Sequence, residues 1–243
     1  MGDKSDEADR TRSFDLMWGP TARPARGPRP ELSRDAIVAA AIQAADREGL
    51  GALSMARVAA ALDASTMALY RYVPGKHELI DLMIDASMGP APAPAGGGWQ
   101  AEVTHWARLS LGLFLQRPWL LEAIMRYAPI GPNWLAWFDA AVGAFAGSGL
   151  APAQVLSAVL LVDGHVRASA QVMVGVTSSP EWGQNFGQVL GVALSDPRYA
   201  NLAALAQAGG FEPGGEAPFD FGLRHILEGI ETCGRSKPAL SPG

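Results

Sequence analysis

Between residues 33 and 49 the chain reads SRDAIVAAAIQAADREG, and its apolar side chains recur with a single period. Ala36, Ile37, Ala40, Ala41, Ala44 and Ala45 fall three or four residues apart, which places them on one face of an α-helix. The same spacing returns in each punctuated segment that follows. No segment shows the two-residue alternation of a half-buried strand. A chain patterned this way must bury helix against helix, so the expected fold is all-α.

Capping residues and breakers mark the segments. Ser33 is placed to cap the first helix, with Asp35 favourable in its first turn and Gly49 at its end. Ser54 caps a second helix through Val58, Ala59 and Leu62, and Ser65 a third through Tyr72. Pro74-Gly75 interrupts the chain before a fourth helix from about Lys76 to Ser87. Further helices are expected over 99–117, 119–127, 132–146, 152–176, 181–194, 197–208 and 219–234. The expected organisation has five parts: an Arg/Pro-rich arm at 1–31, a head at 32–88, a Pro/Gly linker at 89–98, a body at 99–235 and a tail at 236–243.

The arm carries Pro20, Pro24, Pro28 and Pro30 and few aliphatic residues, so it is expected to be extended and mobile. Arg10, Arg12, Arg23, Arg26 and Arg29 face one acid, Asp15, across residues 10–30. Residues 31–90 instead hold five bases against eight acids, within a net charge of −5 for the whole chain. A single cysteine, Cys233, excludes an internal disulfide and a cysteine zinc cluster. The longest apolar region is broken by Asp163, His165 and Arg167, and the acidic start MGDKSDEADR lacks the apolar core of a secretory signal. A cytoplasmic protein is expected.

The second and third helices have the spacing of a helix-turn-helix. Val58, Ala59, Leu62 and Leu69 face inward around a turn at Asp63-Ala64-Ser65. Ala59 is small enough for a steep crossing, and Asp63 tolerates the left-handed backbone that such a turn needs. The second of these helices then projects Thr66, Met67, Ala68, Tyr70 and Arg71 towards a major groove.

The segments SRDAIVAAAIQAADREGL, LSMARVAAALDAS and MALYRYVPGKHELIDLM together make residues 33–86 resemble the N-terminal domain of the tetracycline-repressor-like (TetR) family of bacterial transcription regulators. The form ALYRYVPGKHELIDLMIDA is similar to the tetracycline-repressor subgroup. The resemblance implies a three-helix DNA-binding head, and a fourth helix joining it to an all-helical body that binds a small molecule and dimerises. It implies that Thr66, Met67 and Ala68 face base edges, that Tyr70, Tyr72, Lys76 and Ser54 contact phosphates, and that Ser33 approaches the backbone. Where the tetracycline repressor reads a base with arginine, this chain has Ala56. The adjacent Arg57 is expected to serve phosphate or a different base, and Arg71 either reads a base or is solvated. The expected function is a repressor that binds a palindromic operator as a homodimer and is released by a small molecule. A ligand-binding helical protein without specific DNA recognition is the alternative kept by the acidic head, with an all-helical enzyme behind it.

The body concentrates aromatic residues: Trp99, Trp106, Trp119, Trp134, Trp137 and Trp182, with Phe114, Phe138, Phe145 and Phe186. If they line a pocket, the candidates are His105, Trp106, Leu109, Leu113, Met125, Trp134, Phe138, His165, Ser169 and Met173. His105 and His165 lack neighbours at metal-ligand spacing and read as structural, so no metal and no cofactor is expected. The magnesium-tetracycline site of the family's namesake cannot be traced, and tetracycline is not expected as ligand. Apolar stripes on 152–176 (Leu156, Val159, Leu160) and 219–234 (Leu223, Ile226, Leu227, Ile230) are the expected dimer interface, forming a four-helix bundle. No nucleophile elbow, phosphate loop or paired metal-ligand motif is present, so no catalytic residue is assigned.

Overall fold

A computed structural model describes residues 4–19, 32–127, 131–178, 180–212, 214 and 216–235, with side chains omitted at 4–10, 177, 178 and 180–184. Among the described residues the regular structure is helical: α1 (Lys4–Trp18), α2 (Arg34–Glu48), α3 (Met55–Ala61), α4 (Thr66–Tyr70), α5 (Lys76–Met88) and α6 (Trp99–Gln116) come first. They are followed by α7 (Pro118–Tyr127), α8 (Pro132–Ala144), α9 (Pro152–Ser178), α10 (Pro180–Ala193), α11 (Ala200–Gln207) and α12 (Pro218–Arg235). Short 3-10 turns precede α3 and α11.

The expected caps form. Ser33 Oγ accepts from the Ala36 N–H (3.1 Å), Ser54 Oγ from Arg57 (3.3 Å) and Ser65 Oγ from Ala68 (3.2 Å). Each removes one of the orphan donors at a helix start. Gly49, at φ 77°, closes α2 through its N–H to the Ala45 carbonyl (2.8 Å).

The N-terminal expectation needs correction. Residues 4–18 form a helix, and its C-terminal half packs on α5. Ser13 is buried there, Leu16 and Met17 lie against the core, and Arg12 Nε meets Glu78 Oε1 at 2.7 Å. Arg34 adds a hydrogen bond to the Leu16 carbonyl (2.6 Å). Prolines in 20–30 set the composition of the whole arm, but none lies in 4–18, where nothing prevents a helix that finds a partner surface. The ARPARGPRP segment, with Arg23, Arg26 and Arg29, lies outside the described residues, as does the 236–243 tail.

Helix α5 lies at the centre. Leu79, Ile80, Met83 and Ile84 are fully enclosed, and the helix packs against α1 and α2 on one side and α7 and α8 on the other. In the body α9 packs on α6, α7, α8 and α12. Its 152–176 stretch is apolar and long enough to cross a membrane. Here it buries Ala158, Val159, Val162, Val166 and Ala170 against its neighbours.

That packing corrects the expected dimer face. Val159, Leu223, Leu227 and Ile230 are buried within the chain, Ile226 is half-buried, and α12 turns this stripe onto α9. Of the seven positions, Leu156 and Leu160 remain exposed. The periodicity marked an apolar stripe; it could not say which helix would cover it.

Asp63 is the one non-glycine residue with positive φ (49°) among the described residues, at the turn where a left-handed residue was expected. Asp63→Val should destabilise the fold by about 1–2 kcal/mol, while Asp63→Gly should change it by no more than about 0.5 kcal/mol. Urea unfolding of the three proteins checks this, and equal midpoints for the valine and glycine variants would contradict it.

Candidate nucleic-acid interface and effector cavity

Helices α3 and α4 are joined by a tight turn. The Leu62 and Ala64 N–H groups both donate to the Ala59 carbonyl (3.1 and 3.0 Å), while Val58, Ala59 and Leu69 are buried and α3 packs on α2 and α4. With Leu69 as the anchor of α4, the opposite face must point to solvent. Met67 is 76% exposed and Tyr70 45%, Arg71 is exposed, and Thr66 and Ala68 are half-buried. Tyr72 is half-buried against the core, and Lys76 is exposed in the first turn of α5.

The serines at Ser33 and Ser54 use their oxygen lone pairs as caps, which leaves each hydroxyl proton free to donate outward. Arg57 is more constrained. Its guanidinium pairs with Glu48 and donates to the Ala52 carbonyl (3.1 Å), so it ties the start of α3 to the end of α2.

The acidic balance of the head is resolved by position. Glu78, Asp81 and Asp85 are buried on α5, and Glu48 is paired with Arg57. Asp46 is held from the body by the Trp119 indole (2.7 Å) and Arg117 (3.3 Å). On the outward face around α4, Arg71 and Lys76 stand against Asp63.

In the body, a cavity of about 140 Å³ opens between α5, α6, α7, α8 and α9. It brings together four of the ten candidates: Trp106, Leu113, Trp134 and Phe138, the last two stacked at 5.7 Å with ring planes 5° apart. The other six lie elsewhere. His105 borders a separate cleft beside residues 92–98, while Leu109 and Met125 face outward. His165 stacks on Phe219 (5.3 Å) with Nε2 2.9 Å from the Phe219 carbonyl, a structural role. Ser169 and Met173 sit further along α9, outside the cavity wall. Trp182 lies outside the described side chains. Sequence reasoning missed Ser110, Asp163 and Arg167, which share the cavity with Phe114 and Trp137. Asp163 and Arg167 interrupt an apolar run in the sequence, and their spacing of one helical turn is the usable signal.

The cavity is joined to α5 by polar contacts. Asp85 Oδ1 accepts from the N–H groups of Asn133 (2.9 Å) and Trp134 (3.0 Å), and Oδ2 accepts from the Asn133 side chain (3.1 Å). A carboxylate on α5 thus caps α8, whose own N-cap position, Gly131, offers no side chain. Burial pushes the Asp85 carboxyl above its ordinary range, and the hydrogen bonds from Trp134 and Asn133 pull it partly back. Trp137, one turn further along, donates its indole N–H to the Met88 carbonyl (3.0 Å), at the last residue of α5 and one turn on from Asp85.

The chain matches two families of known proteins. Residues 37–83 match the family described as bacterial regulatory proteins, tetR family, and residues 91–233 match the tetracyclin repressor-like C-terminal domain. It is 38% identical over 240 residues to the HTH-type transcriptional repressor DrrR1 of Streptomyces coeruleorubidus, covering 94% of this chain and 88% of that protein. An HTH-type transcriptional regulator of Saccharopolyspora erythraea is 30% identical over 210 residues, covering 83% of this chain and 86% of the relative. Among solved structures, ActR from Streptomyces coelicolor in complex with actinorhodin is 28% identical with a TM-score of 0.71, over 84% of this chain and 96% of that one.

Replacing Asp85 by alanine removes the cap of α8 and leaves two part-buried backbone amides without their acceptor. The expected cost is about 2 kcal/mol, read from urea midpoints. An unchanged midpoint would show that the contact carries no stability.

Proposed function

The chain belongs to the tetR family of bacterial regulatory proteins and so is a DNA-binding regulator of transcription, and from that premise we propose a ligand-released repressor acting as a homodimer on a palindromic operator. The observation that carries the DNA-binding face is α4: a short helix anchored by Leu69 that leaves Met67 and Tyr70 exposed beside Arg71 and Lys76. In this proposal Thr66, Met67 and Ala68 meet base edges, with the methyl and thioether groups against thymine methyls. Tyr70, Tyr72, Lys76 and the hydroxyls of Ser33 and Ser54 position the backbone, and Lys76 acts where a helix start favours phosphate. Arg57 supports that face by fixing α3 on α2, while Arg71 is a solvent-facing cation available to phosphate.

The effector belongs in the aromatic cavity of the body. ActR, of similar fold, has been solved with actinorhodin bound, and Trp106, Trp134, Trp137 and Phe138 give this cavity the lining for an aromatic small molecule. DNA binding places the repressor in the cytoplasm.

The dimer interface is reassigned to faces that the chain leaves uncovered. On α9 these are Leu161, Gly164, Ala168, Val172 and Gly175, which recur three, four, four and three residues apart. On α12 they are Phe221, His225 and Gly229. Small residues on both stripes allow two α9–α12 pairs to approach closely as four helices.

Duplex DNA from upstream of the chain's own gene should shift sharply in a gel, with a midpoint that weakens steeply with salt. Tyr70→Ala and Lys76→Ala should each weaken binding tenfold or more, and Lys76→Ala should reduce the log–log salt slope by about 1. Absence of binding at low salt would overturn the repressor reading. In sedimentation the protein should run as two chains and Leu161→Glu as one; a monomeric wild type would remove the dimer from the proposal.

A further inference from the structure

The cavity wall is apolar and aromatic except at three side chains, Ser110, Asp163 and Arg167. Ser110, on α6, is 5% exposed, and its hydroxyl has no hydrogen-bond partner among the described residues. Buried hydroxyls are normally satisfied, so an orphan facing a cavity points to a missing partner. Asp163 and Arg167, one turn apart on α9, line the same space and pair at 2.7 Å through Nε. The guanidinium lies over the Phe114 ring at 5.9 Å, and its Nη1 reaches only the thioether of Met125 at 3.9 Å. A hydroxyl, a carboxylate and a partly used donor fork therefore stand on an aromatic wall.

Charge decides what this set can hold. The Asp163–Arg167 pair is neutral as it stands. An anionic ligand would add a second negative charge beside Asp163, and a cationic one a second positive charge beside Arg167. No other charged side chain lines the cavity, so neither addition is met by an opposite charge on its wall. A neutral ligand with neighbouring oxygens, at least one of them O–H, satisfies all three groups. Its O–H donates to Asp163, and its oxygens accept from Arg167 and Ser110.

Volume sets the scaffold. About 140 Å³ is close to the roughly 150 Å³ cavity that takes up benzene. One aromatic ring is therefore enclosed, beside the stacked Trp134 and Phe138. The wall includes Leu160, which is 58% exposed, and a second fused ring can project on that side.

We propose that this cavity binds a neutral fused aromatic compound carrying adjacent oxygen functions, read by Ser110, Asp163 and Arg167. The proposal rests on the effector role given to the same cavity, and it names the class of compound. Isothermal titration of the full chain with three probes of one size tests it: 2,3-dihydroxynaphthalene (neutral, adjacent hydroxyls), naphthalene (no polar edge) and 2-naphthoate (anionic). The dihydroxy compound should bind at least tenfold tighter than either of the others. Ser110→Ala should reduce that preference three- to tenfold while leaving the ligand-free melting temperature equal or higher, because an unsatisfied hydroxyl has been removed. Asp163→Asn should reduce the preference further. Equal affinities, tighter binding of 2-naphthoate, no binding of any probe, or a preference unchanged in Ser110→Ala would overturn the assignment. Operator binding, measured on the same preparation, stands or falls separately from the probe series.

Discussion

One carboxylate ties the last turn of α5 to the first turn of α8. Asp85 belongs to α5, the helix that packs against the head, yet its oxygens satisfy the first amides of α8 in the body. A helix start without a cap of its own would leave several buried donors unpaired. Here the donors are met from another element, so α8 cannot shift without either carrying α5 or breaking those bonds. The Trp137 indole on the Met88 carbonyl makes the same connection one turn later. Trp134, Trp137 and Phe138 also line the cavity. The wall of the cavity and the helix that carries the head are therefore hydrogen-bonded directly to each other, and under the proposed effector role a ligand altering the first would act on the second without a longer chain of contacts.

The placement of charge follows from the same junction. By composition the head is acidic, which argued against a DNA-binding surface. Three of its acids, Glu78, Asp81 and Asp85, are drawn inward along α5, and Arg12 on α1 meets the first of them. Net charge is a sum over positions, and burial removes terms from the sum that an approaching phosphate would sense. What remains outward around α4 is a small set of donors with two cations, Arg71 and Lys76, against one acid, Asp63.

Local features of the fold were legible in the sequence because local physics produces them. Caps at Ser33, Ser54 and Ser65, the glycine stop at Gly49 and the left-handed Asp63 all depend on side-chain chemistry within a few residues. Matters of which surface covers which were not legible. The α12 stripe from Leu223 to Ile230 reads the same whether it faces α9 of its own chain or a second copy, and the structure buries it internally. Residues 4–18 read as part of a proline-rich arm because the surface of α5 that receives them is invisible from their own composition. In the cavity, the aromatic residues announced themselves by size. Ser110 did not, since a serine within a helix gives no sign that its hydroxyl will be sealed from water.

Gly131 has a consequence for how such a chain can change. A β-carbon at that position would lie 2.1 Å from Asp85 Oδ1, inside its van der Waals shell. The two positions are distant in sequence and belong to different elements, yet neither can be exchanged on its own terms. A larger residue at 131 requires a shorter one at 85, and a shorter one at 85 takes the cap from α8. A hybrid that joins the head and α5 of one relative to the body of another inherits this constraint at its seam. Where the donor of α5 and the donor of α8 solved the capping of that helix differently, the hybrid loses the stabilisation of this contact at its seam.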